Sequence, residues 1–329
     1  MQVIIPLAGR GTRLQPHTFT KPKPLVTCAD KPVLGHILDK LQNLPVDDIV
    51  FIVGHLGEQI EEYVKPNYDF KAHYVVQEEL KGQAHAIRLT REYIHGPVLI
   101  IFVDTLFEAN LSDLDTLNAD GLIFVKEVED PRRFGVATLN EQGYVTRFVE
   151  KPSTPVSNLA VVGVYYIRDP QALFEAIDDL IERDIQTKGE YFLADALELM
   201  IQRGKKLRAR TIDVWEDCGT PEALLDSNRY LLENGHANHE AIHFPDSVIV
   251  PPVYIHPSAK IERSVIGPYA SIAANVQVQD SLVRDTIVDE ESVIRDTMLR
   301  RSLIGTRAYV VGQFHRVNIG DASSLDLGA

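Results

Sequence analysis

Three observations predict an α/β domain, built on a Rossmann-like, mixed and mostly parallel sheet, followed by a repetitive β domain. Short, continuous apolar runs alternate with amphipathic stretches to about residue 235. That is the pattern of strands buried on both faces and covered by helices. The first run, residues 3–7, breaks straight into Ala8-Gly9-Arg10-Gly11-Thr12-Arg13-Leu14. Beyond Gly235, apolar residues recur every five or six positions from Ile255 to Val310, a period that neither a helix nor a simple hairpin has.

Residues 3–7, 49–53, 73–76 and 98–103 read as strands, with helices over 32–44, 58–64 and 82–93 between them. Ligands of such sheets bind at the carboxyl ends of the strands, where residues 8–13 and Asp104 fall. From 122 to 167 the pattern turns strand-rich, with runs at 122–126, 135–139, 144–149 and 160–167 that suggest an added antiparallel layer. Helices return at 170–180 and 191–203, and a strand at 207–212 leads to Trp215. A last helix over 221–234 is stopped by Gly235. The change of texture there sets the expected domains at 1–235 and 236–329.

The chain has 329 residues, 45% of them hydrophobic and 24% charged, enough for a large core and two domains. Its net charge of −14 argues against non-specific nucleic-acid binding. The first 31 residues run the other way, with Arg10, Arg13, Lys21, Lys23 and Lys31 against Asp30 alone. A basic patch in an acidic protein fits a small anionic ligand. The two cysteines, Cys28 and Cys218, form no disulfide framework or zinc pattern, and structural packing is their expected role. No apolar run approaches membrane-spanning length, so a cytoplasmic protein without a membrane partner is expected.

The Gly-rich loop brings backbone N–H groups together as an anion nest, and Arg13 and Lys23 add fixed positive charge. The dinucleotide fingerprint would need Gly at Leu14, and no G-K-[ST] of a P-loop follows. Instead Gly9-Arg10-Gly11-Thr12-Arg13-Leu14, with Lys21-Pro22-Lys23-Pro24-Leu25, resembles the signature of sugar-1-phosphate nucleotidyltransferases. The resemblance spans essentially the whole chain and is strongest to glucose-1-phosphate thymidylyltransferases of the longer type. It implies Mg²⁺-assisted in-line transfer of a nucleotidyl group from dTTP or UTP to a sugar 1-phosphate, glucose 1-phosphate above all, with pyrophosphate leaving.

The resemblance also assigns roles. Ala8, Gly9, Gly11 and Thr12 would line the nucleotide. Arg13 would steady the leaving pyrophosphate, and Lys23 would neutralise the phosphates around the α-phosphorus. Asp104, which follows Val103 where relatives usually have Gly, and Asp217 of Trp215-Glu216-Asp217-Cys218-Gly219-Thr220 would hold Mg²⁺. Gln77 would read a pyrimidine edge, which its one donor and one acceptor match, and Gly82 would let the base approach. In Glu150-Lys151-Pro152, Glu150 would hold sugar hydroxyls and Lys151 the sugar phosphate; Gly135 and Val161 would floor the ring, and Lys188 would add a phosphate contact. Thr220 reads as the cap of the helix from Pro221.

The C-terminal period resembles the hexapeptide repeat of left-handed parallel β-helices, best in Ser264-Val265-Ile266-Gly267 and Ser302-Leu303-Ile304-Gly305, and amounts to about three to four coils. Such a domain points to a homo-oligomer. Hexapeptide β-helices also host acyltransferases, whose catalytic histidine would here be His256 or His315; no such activity is expected. Other readings are a mannose-1-phosphate guanylyltransferase, which shares these motifs, and a non-catalytic sugar-nucleotide sensor, which the complete set Arg13, Lys23, Asp104 and Asp217 disfavours.

Overall fold

The computed structural model describes residues 1–154, 156–314, 319 and 322, the side chain of residue 115 excepted. Two compact units divide the chain, Met1–Ser227 and Asn228–Ala329, with the division inside the helix Pro221–Glu233.

The first unit is built on one nine-stranded sheet. Strand Gln2–Pro6 lies at its centre, parallel to Asp48–Val53 on one side and to Val98–Ile101 on the other. Val3, Ile4 and Ile5 are wholly buried, as a strand covered on both faces requires. Helices Val33–Leu41 and Glu58–Asn67 connect the strands outward to Lys71–Val76. The chain then crosses back, through the short helix Gln83–Arg88, to Val98–Ile101. Strand order therefore reverses between Gln2–Pro6 and Val98–Ile101, and this switch point opens a crevice at their carboxyl ends.

The strand-rich region does not form a separate layer. Leu159–Ile167 pairs antiparallel with Val98–Ile101, from Val164↔Ile101 to Ile167↔Val98, and so continues the same sheet. Gly135–Leu139 and Val145–Glu150 follow on one side, Gly121–Glu127 and Leu207–Thr211 on the other. Val98–Ile101 has a free hydrogen-bonding edge, and satisfying it inside a wholly apolar setting favours strand addition over a second layer. Helices Pro170–Glu182 and Leu193–Gln202 cover this half. Asp169 caps the first of them by accepting from the Ala172 N–H at 3.3 Å, with Pro170 at the first helical position.

Two short antiparallel ribbons fall outside the sequence pattern, one of them Thr27–Cys28 with Lys31–Pro32. Thr105–Glu108 and Val214–Asp217 form an antiparallel ribbon of their own, with Thr105 opposite Asp217. The apolar run expected over 98–103 ends its strand at Ile101, and Asp104 lies on the turn into Thr105–Glu108.

The second unit is the short left-handed parallel β-helix. Successive coils stack in parallel, as in Ile261↔Val278 and Val278↔Ile294. Every apolar residue of the five-or-six-step series packs into the coil core, Ile255 through Ile294 buried and Leu299, Ile304 and Val310 partly so. A ladder of hydroxyls stitches one corner. The N–H of Ser264 donates to Ser247 Oγ, that of Ser281 to Ser264 Oγ, and that of Thr297 to Ser281 Oγ, at 3.1, 3.1 and 3.2 Å. The corner N–H of each coil is thus paired where the strand ladder has stopped.

Candidate active site

The switch-point crevice opens into two adjoining cavities. The first, about 340 Å³, is lined by the loop Leu7-Ala8-Gly9, by Lys23, by Gln77 and Gly82, and by Val103-Asp104. The second, about 320 Å³, is lined by Gly135, Glu150, Lys151 and Val161 from the antiparallel half, and by Arg13, Trp215 and Asp217. Gln83, Phe102 and Asp104 belong to both. The loop of residues 8–13 and the Glu150-Lys151 pair therefore flank one shared wall.

Asp104 and Asp217 meet through the ribbon Thr105–Glu108 and Val214–Asp217. The Cys218 N–H donates to the Asp104 carbonyl at 2.8 Å, closing its end. Lys23 Nζ lies 4.0 Å from Asp104, with its side chain largely buried and that of Asp104 half exposed. Asp217 Oδ1 accepts the Gly219 N–H at 2.7 Å. A Cβ on Gly219 would stand 2.7 Å from Asp217 Oδ1 and 2.8 Å from an Arg13 guanidinium nitrogen, so the ends of those two side chains would have to move. The motif glycine is thus the point where Arg13 and Asp217 converge. Thr220 Oγ1 accepts from the Ala223 N–H at 3.2 Å, capping the helix from Pro221.

On the opposite wall, Gln77 follows its strand and ties its own N–H to the Val53 carbonyl at 2.8 Å. Its amide nitrogen donates to the Gly82 carbonyl at 3.4 Å. Gly82 lines the cavity at φ 110°, and a Cβ on it would stand 2.6 Å from the Tyr191 carbonyl oxygen. What requires glycine here is the close pass of the Tyr191 backbone, itself fixed by Tyr191 N–H to Lys81 O and Ala84 N–H to Tyr191 O, both at 2.9 Å.

In the second cavity the Glu150 side chain is largely buried, with Lys151 Nζ 3.5 Å away. Burial raises the Glu150 carboxyl above the ordinary range; Lys151 and Lys188 pull it back, and Asp195 adds to the rise. Lys151 Nζ also stands 4.9 Å over the Phe192 ring. Phe134 and Trp215 meet edge to face at 4.9 Å.

Not every sequence candidate lines the cavities. Gly11 and Thr12 shape the loop instead, Gly11 accepting the Thr18 hydroxyl at 2.9 Å just before the turn Thr12–Leu14. Lys188 is exposed and lines neither cavity; it acts on Glu150 only through its field. Arg133 lines the second cavity and was not anticipated. Its signal is Asp130-Pro131-Arg132-Arg133, where the Asp130 side chain caps a short turn that delivers Arg133 beside Gly135. Cys28 and Cys218 are buried free thiols lining neither cavity. Burial pushes the Cys28 thiol well up, and its contact with Cys218 adds to the rise. His256 is engaged with Ser258 Oγ at 2.8 Å, and His315 lies outside the described residues.

Two carboxylates with free oxygens beside an open, cation-lined crevice form a donor set that suits Mg²⁺. This ion binds through one or two carboxylates and keeps its remaining positions for water and substrate phosphates.

A mostly parallel sheet with this double crevice at its switch point places the chain among the α/β nucleotidyltransferases. The Nucleotidyl transferase family matches residues 2–234, and the chain belongs to it. It is 35% identical over 233 residues to the bifunctional protein GlmU of Methanocaldococcus jannaschii, a match covering 71% of this chain and 55% of that one. The chain thus spans about half the length of that relative. Glucose-1-phosphate thymidylyltransferase of Streptomyces griseus is 28% identical over the full length of both chains. Among solved structures, a UDP-glucose pyrophosphorylase complexed with UDP-glucose superposes with a TM-score of 0.62 at 24% identity, over 71% of this chain and 98% of that one. Among the described residues, no helix is long and apolar enough to cross a membrane.

Proposed function

We propose that the protein joins dTTP or UTP to glucose 1-phosphate. The phosphate oxygen of the sugar attacks the α-phosphorus, a new P–O bond forms, the bond to the β-phosphate bridging oxygen breaks, and pyrophosphate leaves in line. The observation that carries this reading is the pair of cavities meeting at Asp104, one walled by Gln77 and the Gly-rich loop, the other by Glu150 and Lys151. The first suits the nucleotide and the second the sugar phosphate, with the reacting phosphates at the junction. The full-length similarity to a glucose-1-phosphate thymidylyltransferase supports the same donor and acceptor.

Lys23 and Arg13 supply the positive charge that lets two anions approach and that stabilises the leaving pyrophosphate. Gln77 presents its amide edge to the base. Glu150 is oriented by Lys151 to accept from sugar hydroxyls, while Lys151 faces the sugar phosphate. Asp104 and Asp217 would hold Mg²⁺, which would screen the triphosphate charge when bound. The acceptor is already an anion, so no general base is needed.

Pyrophosphate release from four nucleoside triphosphates, each with several sugar 1-phosphates, with and without Mg²⁺, tests the reading. Metal-dependent release confined to dTTP or UTP with glucose 1-phosphate is the expected result. Release confined to GTP with mannose 1-phosphate would discard the base assignment to Gln77, and nucleotide binding without any release would discard catalysis.

A further inference from the structure

The crevice does not end at Gln77. A third cavity, about 210 Å³, shares Ala8, Gln77 and Leu80 with the first. Lys23, Gly82 and Asp104 do not line it, so it opens away from the junction at Asp104. Its apolar wall is uncovered, with Val76 60% and Leu80 49% exposed. Its rim is polar, with exposed Arg10, His55 and Glu78. Among the described residues, Arg10 and His55 have no hydrogen-bond or ion-pair partner. The walls are held in place by the backbone. Gln77 ties its N–H to the Val53 carbonyl, and His55 stands on a turn that the Gly57 N–H closes on the Gly54 carbonyl at 3.0 Å. A preformed hollow with apolar contact area and a few unpaired polar groups has the form of a ligand subsite.

The shape of a pyrimidine decides which part of it reaches this hollow. N1, which carries the ribose, and C5 lie at equal angles on either side of N3, the middle of the edge presented to Gln77. A ribose directed to the junction at Asp104 therefore turns C5 the other way, past Leu80.

We propose, on the reading of Gln77 given under the proposed function, that the third cavity receives the C5 substituent of the donor nucleotide. A methyl group there covers Val76 and Leu80. A longer group with an amide end reaches the rim, its carbonyl accepting from Arg10 and its N–H donating to Glu78. The donor class is then the C5-substituted pyrimidine nucleoside triphosphates, with the unsubstituted base the poorer member.

Initial rates of pyrophosphate release with glucose 1-phosphate test this on dUTP, dTTP and dUTP carrying a carbamoylvinyl group at C5. All three share the deoxyribose, so only the substituent changes; UTP and its C5-methyl form, run in parallel, repeat the comparison with ribose. The kcat/KM of the methylated donor should exceed that of the unsubstituted one about fourfold, the worth of burying one methyl group. The carbamoylvinyl donor should at least match dUTP. Val76→Ser with Leu80→Ser should bring the dTTP to dUTP ratio close to one. Arg10→Gln should lower the carbamoylvinyl to dUTP ratio about tenfold and leave the dTTP to dUTP ratio as it is. Each ratio is taken within one protein, so a general loss of turnover cancels. Equal use of methylated and unsubstituted donors by the wild type, rejection of the carbamoylvinyl donor, or a variant that keeps the wild-type ratio it should change overturns the proposal and leaves the proposed function standing. No release from any of these donors overturns both.

Discussion

The backbone N–H of Cys218 donates to the carbonyl of Asp104 at 2.8 Å. Through this bond a turn after one strand of the central sheet is joined to the end of a separate ribbon, and two carboxylates far apart in sequence come to one crevice. The bond is between main-chain groups, so side-chain substitution at either aspartate leaves it in place.

Asp104→Asn and Asp217→Asn should therefore each lower pyrophosphate release on the order of 10²-fold while the melting temperature stays near that of wild type. Steady-state assays over a range of Mg²⁺ concentrations check this. Wild-type turnover in Asp104→Asn would move the metal-holding role to another residue.

Gly219→Ala should act on the same centre from the side. The added carbon would press on Asp217 Oδ1 and the Arg13 guanidinium. Displacement of a phosphate-facing cation by about 1 Å is expected to cost on the order of 10²-fold in kcat/KM. A crystal structure of the variant together with its kinetics would decide it, since unshifted Arg13 and Asp217 with full activity would contradict the crowding.

Glu150 offers a test by pH. Burial raises its native pKa above the ordinary glutamate value, with Lys151 opposing. The folded state then binds a proton more readily than the unfolded chain, so stability is lost as pH rises from about 4.3 through the raised native value. Glu150→Gln removes that loss. Thermal melts should show the variant gaining on wild type above this window and not below it, while its sugar-phosphate turnover falls. A variant less stable than wild type at pH 7 would mean that the pairing with Lys151 outweighs the desolvation.

Asp178 behaves with the opposite sign. Burial pushes its carboxyl up, but hydrogen bonds from Arg91 and Arg88 outweigh it and hold the pKa below the ordinary value. The group contributes stability above about 3.9 that is lost as pH falls through the depressed native value. Asp178→Asn should cost about 1 kcal/mol at neutral pH, a screened surface-edge value, and the cost should shrink as pH falls below the ordinary carboxylate value. Urea melts of both proteins at pH 7 and at a descending series of acid pH values check the trend.

Much of this architecture was legible because it is local. The run at residues 3–7 with its glycine loop, and the five-or-six-step apolar series, declare themselves within short windows. The turn Thr12–Leu14, the cap at Thr220 and the buried series Ile255 to Ile294 follow from them. Long-range pairing was harder to see. The strand Thr105–Glu108 merges with the apolar run before it, and its partner Val214–Asp217 lies far along the chain, with a polar pair, Glu216 and Asp217, at its end. The antiparallel strands read as a layer because alternation reports which face is buried and says nothing of which edge is shared. Lys188 shows the same limit, since a residue near the Glu150 site in sequence pattern still ends exposed and outside the cavity lining.

The change of strand direction at Val98–Ile101 divides the chain by provenance. Before residue 105, the chain supplies all but Glu190 of the first cavity's lining. After residue 101, it supplies all but Arg13 and Gln83 of the second's. On the proposed assignment of the cavities, substitutions in the later stretch would alter the sugar-phosphate side while the earlier stretch keeps the nucleotide side. A hybrid joined within Val98–Ile101 would take its two halves of selectivity from two different parents.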